Sequence, residues 1–134
     1  MVYKGHTLRR IKADIDIPLH GVKVGDLGGW IEWEYNLSHN GRSWVADEAK
    51  VYDRAMIRGN ALVANNAKVF GRSRVDGNAK IRGNAEVSTR SIVSGHAQIY
   101  DNAKIKNSTV TYAAKVYGRT EIAHSFIDGK RLKI

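Results

Sequence analysis

From Val45 to Ile105 a β-branched aliphatic residue returns at every sixth position. The series is Val45, Val51, Ile57, Val63, Val69, Val75, Ile81, Val87, Val93, Ile99 and Ile105. Four residues after each stands a small side chain: Ala49, Ala55, Ala61, Ala67, Ser73, Ala79, Ala85, Ser91, Ala97 and Ala103, with Thr109 expected to complete the set. Two residues after each stands a turn former, from Asp47, Asp53, Gly59 and Asn65 through Gly71, Gly77, Gly83, Thr89 and Gly95 to Asp101 and Asn107. So regular a period outranks every other signal, because a unit this short cannot bury its apolar side alone and must stack on its neighbours.

Six residues suffice for one short strand and one corner. The β-branched residue points inward from the strand, and Gly, Asn or Asp at the corner tolerates positive φ. The small residue fits where two flat faces meet. Three units close a triangular coil of about 18 residues, and successive coils stack as parallel strands about 4.8 Å apart. The expected fold is all-β: a hexapeptide-repeat parallel β-helix.

The remainder of the chain divides around this core. Residues 1–30 fall outside the repeat and are expected to form a small β cap, which a solenoid needs because its open end exposes core and unpaired backbone. Thr7–Ala13 predicts a strand. Ile15, Ile17 and Leu19 form a second alternating run, which Pro18 restricts to an edge or a bend. Coils are expected over residues 31–129, with Ile31 and Leu37 as inward positions of a first coil. The step from Leu37 to Val45 is eight residues, so the corner around Ser38-His39-Asn40-Gly41 should bulge by two. After Ile105 the next inward residues are Val110, Val116, Ile122 and Ile127; two steps of five call for tighter corners. Residues 130–134 form a basic tail that could finish a last strand.

The stretch Gly25-Asp26-Leu27-Gly28-Gly29-Trp30-Ile31-Glu32, followed by Asn36-Leu37-Ser38, Gly41, Trp44-Val45 and the Gly-Asn-Ala hexapeptides, resembles the YdcK-like hexapeptide-repeat proteins of phages and prophages. The resemblance spans roughly residues 7–129. It implies a left-handed β-helix with an N-terminal cap and carries no catalytic residues over.

Composition sets the class of partner. Lys and Arg number 22 against 13 acidic residues, a net charge of +9. That balance favours an anionic partner: nucleic acid, a phosphorylated ligand or an acidic protein surface. With no cysteine there is no disulfide and no thiolate ligand or nucleophile. No apolar run reaches the ~20 residues of a membrane span and no signal-peptide pattern opens the chain, so a cytoplasmic protein is expected.

Stacking turns the sequence into outward columns. One corner should carry Arg54, Arg72, Arg90 and Ser108. Beside it lie Lys50, Lys68, Glu86 and Lys104 in one column, and Tyr52, Phe70, Ser88 and Lys106 in another. Guanidinium forks with nearby aromatics suit phosphates or carboxylates. A second corner aligns Glu48, Asn66, Asn84, Asn102 and Arg119, where stacked amides suggest axial hydrogen bonds. Trp44 and Leu62 make one face apolar, to be covered by the cap or by a second subunit. Met56, Ile92 and Phe126 on another face are candidate contacts in a dimer or trimer.

Catalytic readings are weaker. Hexapeptide acyltransferases use a histidine at a subunit cleft, so His96 and His124 are the candidates, although neither adjoins an extruded loop. The histidines at positions 6, 20, 39, 96 and 124 lack a spacing that would gather three imidazoles on zinc, and no metal or cofactor is expected. Ice binding would need regular Thr-x-Thr rows, and only Thr109 with Thr111 offers one. The favoured expectation is a non-catalytic binding protein of phage type, such as an inhibitor of a host defence system. An acyltransferase and a structural protein are the alternatives.

Overall fold

The computed structural model describes residues 1–129. They form a parallel β-solenoid with three flat faces. The first face stacks Lys50–Val51, Lys68–Val69, Glu86–Ser88, Lys104–Lys106 and Glu121–Ala123. The second stacks Met56–Ile57, Arg74–Val75, Ile92–Val93, Thr109–Val110 and Phe126–Ile127. The third stacks Trp44–Val45, Leu62–Val63, Lys80–Ile81, Gln98–Ile99 and Lys115–Val116. Register advances by one coil per rung, with Val51 opposite Val69, Val69 opposite Val87 and Val87 opposite Ile105. Every β-branched residue of the repeat from Val45 to Ile105 is 0 % exposed, so the core is a single axial column.

The corners bend through the left-handed region, with φ of 56° at Asp53, 59° at Asn65 and 68° at Gly71. At several of them the side chain also bonds the next coil. Asp47 accepts from the Asn65 amide at 2.9 Å, Asp53 from Gly71 at 3.0 Å, Asn65 from Gly83 at 2.9 Å and Asp101 from Gly118 at 3.0 Å. At the second corner these axial side-chain bonds come from Asp47, Asn65 and Asp101, one residue earlier than expected. Asn66, Asn84 and Asn102 contribute backbone amides to the ladder and leave their side chains exposed. The third corner does carry an amide pair, Asn60 to Asn78 at 3.2 Å.

The two short steps lose the same corner position. Asn107 takes the left-handed turn with φ 46°, and Ser108 follows it directly into the small inward site at 4 % exposure. Thr109 therefore points outward on its strand and does not occupy the small site. The corner that should have placed Ser108 below Arg90 is gone, so the arginine column ends at Arg90. His124 and Ser125 repeat the tight corner one coil on, with the Ser125 amide bonded to Ser108 Oγ at 3.0 Å.

The cap begins with a hairpin, Val2–Tyr3 against His6–Thr7, whose turn passes through positive φ at Lys4 and Gly5. Strand Arg9–Lys12 pairs antiparallel with Leu27–Ile31, and Leu27–Ile31 pairs parallel with Lys50–Val51 to join the first coil. Ile31 and Leu37 are inward residues of that coil, Leu37 bridging to Ile57. Gly28 and Gly29 are required by close approach: a Cβ would lie 2.5 Å from the Val45 carbonyl oxygen at Gly28 and 2.6 Å from that of Ala49 at Gly29. The alternating run Ile15, Ile17, Leu19 is a bend rather than a strand. Pro18 opens a single 3-10 turn, Ile17 is buried, and Ile15 and Leu19 face outward. The basic tail, residues 130–134, lies outside the described residues.

The cap settles what covers the apolar third face. Trp44 is only 6 % exposed and packs with Ala13, Ile17 and Val22, while Leu62 packs against the same cluster. Trp44 is thus intramolecular core, and Leu62, half-buried, packs against it.

Candidate anion-binding cleft

Where the cap hairpin meets the first two coils, a cleft of about 570 Å³ opens, lined by His6, Glu32, Trp33, Tyr35, Asp53 and Arg54, with Gly71 and Arg72 at its far end. The turn that carries Trp33 and Tyr35 is organised by Asn36, which is fully buried. The Asn36 carbonyl accepts from the Glu32 and Trp33 amides at 3.1 and 2.7 Å, and its amide donates to the carbonyls of Ala55 at 2.7 Å and Asp53 at 3.3 Å. This turns the chain sharply and leaves Trp33 and Tyr35 outside, 52 % and 49 % exposed. The Tyr35 hydroxyl donates to the Asp53 carbonyl at 3.1 Å.

Both carboxylates of the cleft are engaged. Glu32 accepts the Asp53 amide at 2.9 Å through Oε1 and meets His6 Nδ1 at 3.0 Å through Oε2. Asp53 caps Gly71 through Oδ2, and its Oδ1 lies 3.5 Å from His6 Nε2. His6, Glu32 and Asp53 offer ligand atoms within 4.8 Å of one another. Their contacts with each other and with backbone amides make them a clamp between hairpin and coil.

The arginines are placed differently. Arg54 and Arg72 sit on successive coils at the rim of the cleft, and Arg90 follows on the next coil. All three are exposed and none is ion-paired among the described residues. Of the other described arginines, Arg10 bonds Glu48 at 2.7 Å, Arg58 and Arg74 share Asp76, and Arg82 bonds Gln98 and stacks on Tyr100, whereas Arg9, Arg42 and Arg119 are likewise exposed without an ion pair among the described residues.

The neighbouring columns are less uniform. Lys50 and Lys68 lie 5.2 and 5.9 Å from the Tyr3 ring, and Lys104 meets Glu86 at 3.7 Å, so part of that charge is used internally. Lys106 is exposed. Tyr52, expected on the surface, is 3 % exposed beneath His6 and Tyr3, and burial pushes its phenol pKa up. It is withdrawn as a contact residue and acts instead as the anchor of the hairpin. Phe70 stacks on it at 5.0 Å and stays partly exposed.

The remaining candidates lie elsewhere. Met56 and Ile92 are half-buried on the second face with Arg74 between them, and Phe126 is 66 % exposed further along. His96 is an exposed corner residue. His124 accepts at Nδ1 from the Asn107 amide at 2.9 Å. Neither histidine lines the cleft.

Sequence reading missed His6, Trp33 and Tyr35, because the hairpin and the first corner do not follow the repeat. Trp33 and Tyr35 flanking the acidic Glu34 just before Asn36 were the available signal.

Among the described residues no helix is long and apolar enough to cross a membrane. No protein-family model matches the chain, and no curated protein matches it.

Proposed function

We propose that this protein is a non-catalytic binding module that presents the Arg54–Arg72–Arg90 corner to an anionic partner, with a single-stranded nucleic acid as the favoured form. The observation that carries this reading is the pair of unpaired guanidiniums on the rim of a cleft that also exposes Trp33 and Tyr35. Forked donors neutralise phosphates, and exposed rings stack bases without regard to sequence. The scaffold supports the same reading: successive coils hold the arginine backbones about 4.8 Å apart, so little ordering is needed on binding.

An acidic surface of a host protein complex is the second form, favoured by the +9 net charge and the rigid corner. Inhibition of a host defence complex would use that same corner; its support is the phage-type resemblance together with the charge.

The test is fluorescence anisotropy of a labelled single-stranded oligonucleotide across about 50 to 200 mM salt, where phosphate contacts lose affinity steeply. Wild type should bind with a strong salt dependence. The triple variant Arg54→Ala/Arg72→Ala/Arg90→Ala should bind more weakly with a flatter slope. Salt-sensitive binding that the triple variant retains would remove these arginines from the interface. If wild type ignores the oligonucleotide but captures an acidic protein complex in an arginine-dependent manner, the second form stands.

A further inference from the structure

The unit from Leu37 to Val45 carries two extra residues, yet both ends of the bulge are held to the coil below. The Ser38 amide bonds the Ile57 carbonyl at 2.9 Å, and the Arg42 amide bonds that of Gly59 at 2.8 Å. The extra length is therefore taken up around His39 and Asn40, and the run from His39 to Arg42 is exposed throughout. Within it stands Asn40-Gly41, the one place in the chain where asparagine precedes glycine.

For each asparagine, the backbone amide that follows it decides whether the side chain can be attacked from within the chain. At Asn60, Asn66, Asn78, Asn84 and Asn102 the next residue is a buried alanine whose amide closes the corner. Ala61 donates to the Arg58 carbonyl at 3.2 Å, for example, and Ala103 to that of Tyr100 at 3.3 Å. The amides after Asn36, Asn65 and Asn107 donate to the Glu34 carbonyl, the Gly83 carbonyl and Ser91 Oγ. Only the amide after Asn40, that of Gly41, has no acceptor among the described residues, and the Asn40 carboxamide is likewise unbonded there. The main chain of Asn40 is held differently: the Ser38 hydroxyl accepts from the Asn40 amide and donates to the Asn40 carbonyl, each at 3.1 Å.

From this geometry we infer that Asn40-Gly41 is a self-modification site, at which the folded chain converts asparagine into isoaspartate and aspartate. The Gly41 amide gives its proton to hydroxide and attacks Asn40 Cγ. The new N–Cγ bond closes a succinimide, the Cγ–Nδ2 bond breaks, and Nδ2 leaves as ammonia after taking a proton from water. Water then opens the imide, giving aspartate where it adds at Cγ and isoaspartate where it adds at the main-chain carbonyl carbon. Water enters and ammonia leaves, with no oxidant or reductant. Glycine favours closure because no Cβ crowds the attacking nitrogen. Ser38 is a positioning residue: charge on the deprotonated amide is shared with the Asn40 carbonyl oxygen, where the Ser38 hydroxyl donates. The product adds one carboxylate, and isoaspartate adds one main-chain methylene. Both changes fall between the anchored amides of Ser38 and Arg42, so the coil beneath keeps its stacking.

The test ages the full chain in neutral buffer, folded and urea-unfolded, and follows each asparagine by peptide mass mapping, with isoaspartyl methyltransferase labelling to identify the isomer. Asn40 should react in the folded chain within about threefold of its unfolded rate, whereas folding should slow Asn36 and Asn107 by about tenfold or more. Isoaspartate should be among the products at Asn40. Ser38→Ala should slow Asn40 by about fivefold in the folded chain and leave the unfolded rate unchanged, and Ser38→Thr, which keeps the hydroxyl, should restore the folded rate. Protection of Asn40 by folding equal to that of Asn107 would overturn the site. Aspartate without isoaspartate would mean direct hydrolysis and overturn the succinimide route, and a Ser38→Ala rate at or above wild type would remove Ser38 from the reaction.

Discussion

His6 Nδ1 lies 3.0 Å from Glu32 Oε2, and Glu32 Oε1 accepts the Asp53 amide at 2.9 Å, so one carboxylate ties the cap hairpin to the first corner of the solenoid. The His6 ring also packs on Tyr52, 4.6 Å between centroids. His6→Ala should therefore loosen the hairpin selectively. We expect a loss of about 1 kcal/mol and faster amide exchange over residues 2–8, with protection of the later coils, for example at Val75 and Val87, unchanged. Uniform loss of protection along the whole solenoid would contradict this local role.

Asn36 makes four hydrogen bonds from a fully buried side chain. Asn36→Ala would strand the Trp33 amide and the Ala55 carbonyl, while the Glu32 amide keeps the Val51 carbonyl and the Asp53 carbonyl keeps the Tyr35 hydroxyl. A destabilisation of roughly 2–3 kcal/mol is expected, read as a lower urea midpoint. A change below about 0.5 kcal/mol would show that the turn holds without it.

Thr89 is a β-branched residue at φ 65°, in a column where Gly71 and Asn107 take the neighbouring turns. The left-handed conformation is costly for such a side chain, so Thr89→Gly should stabilise the protein by roughly 1 kcal/mol. Thermal unfolding of the two forms gives the answer, and a lower melting temperature for the variant would refute the strain.

The three corner arginines should not contribute equally. Arg54 and Arg72 line the cleft, whereas Arg90 lies beyond it. Each phosphate contact removed should lower the salt slope by about 1, so Arg72→Ala is expected to flatten the slope and Arg90→Ala to change it less. Equal effects would extend the interface along the whole corner and away from the cleft.

His20 fastens the cap turn to the solenoid through Nε2, which donates to the Asn60 carbonyl at 3.0 Å. Burial, aided by Lys80, holds its pKa below the ordinary 6.5 despite the opposing effect of that hydrogen bond. The unfolded chain then binds the proton more readily than the folded one. The stabilising contribution is present above pH 6.5 and is lost as pH falls through the folded-state pKa. Stability measured from pH 7 downward should fall more steeply in wild type than in His20→Gln; parallel curves would remove His20 as the source.

The β-branched residue at every sixth position, with its small partner and corner residue, determined the solenoid, its core and its register. One contact rule, inward or outward, repeats without alternatives at that spacing. The same logic exposed the bulge after Leu37 and the two tight corners, because a change in step has only the corner to act on. The outward columns were legible as alignments, and Arg54 above Arg72 is one of them. What the columns could not convey is which side chains remain free. Tyr52 and Trp44 share the outward pattern of exposed positions, yet the cap buries both, while Lys104 is paired by Glu86 one rung away. Burial of an outward residue depends on where a non-repeating segment folds back. Only tertiary structure decided that His6 meets Glu32 in a cleft lined by Arg54 and Arg72. Those contacts join segments with no common period, so their geometry arises from packing rather than from spacing.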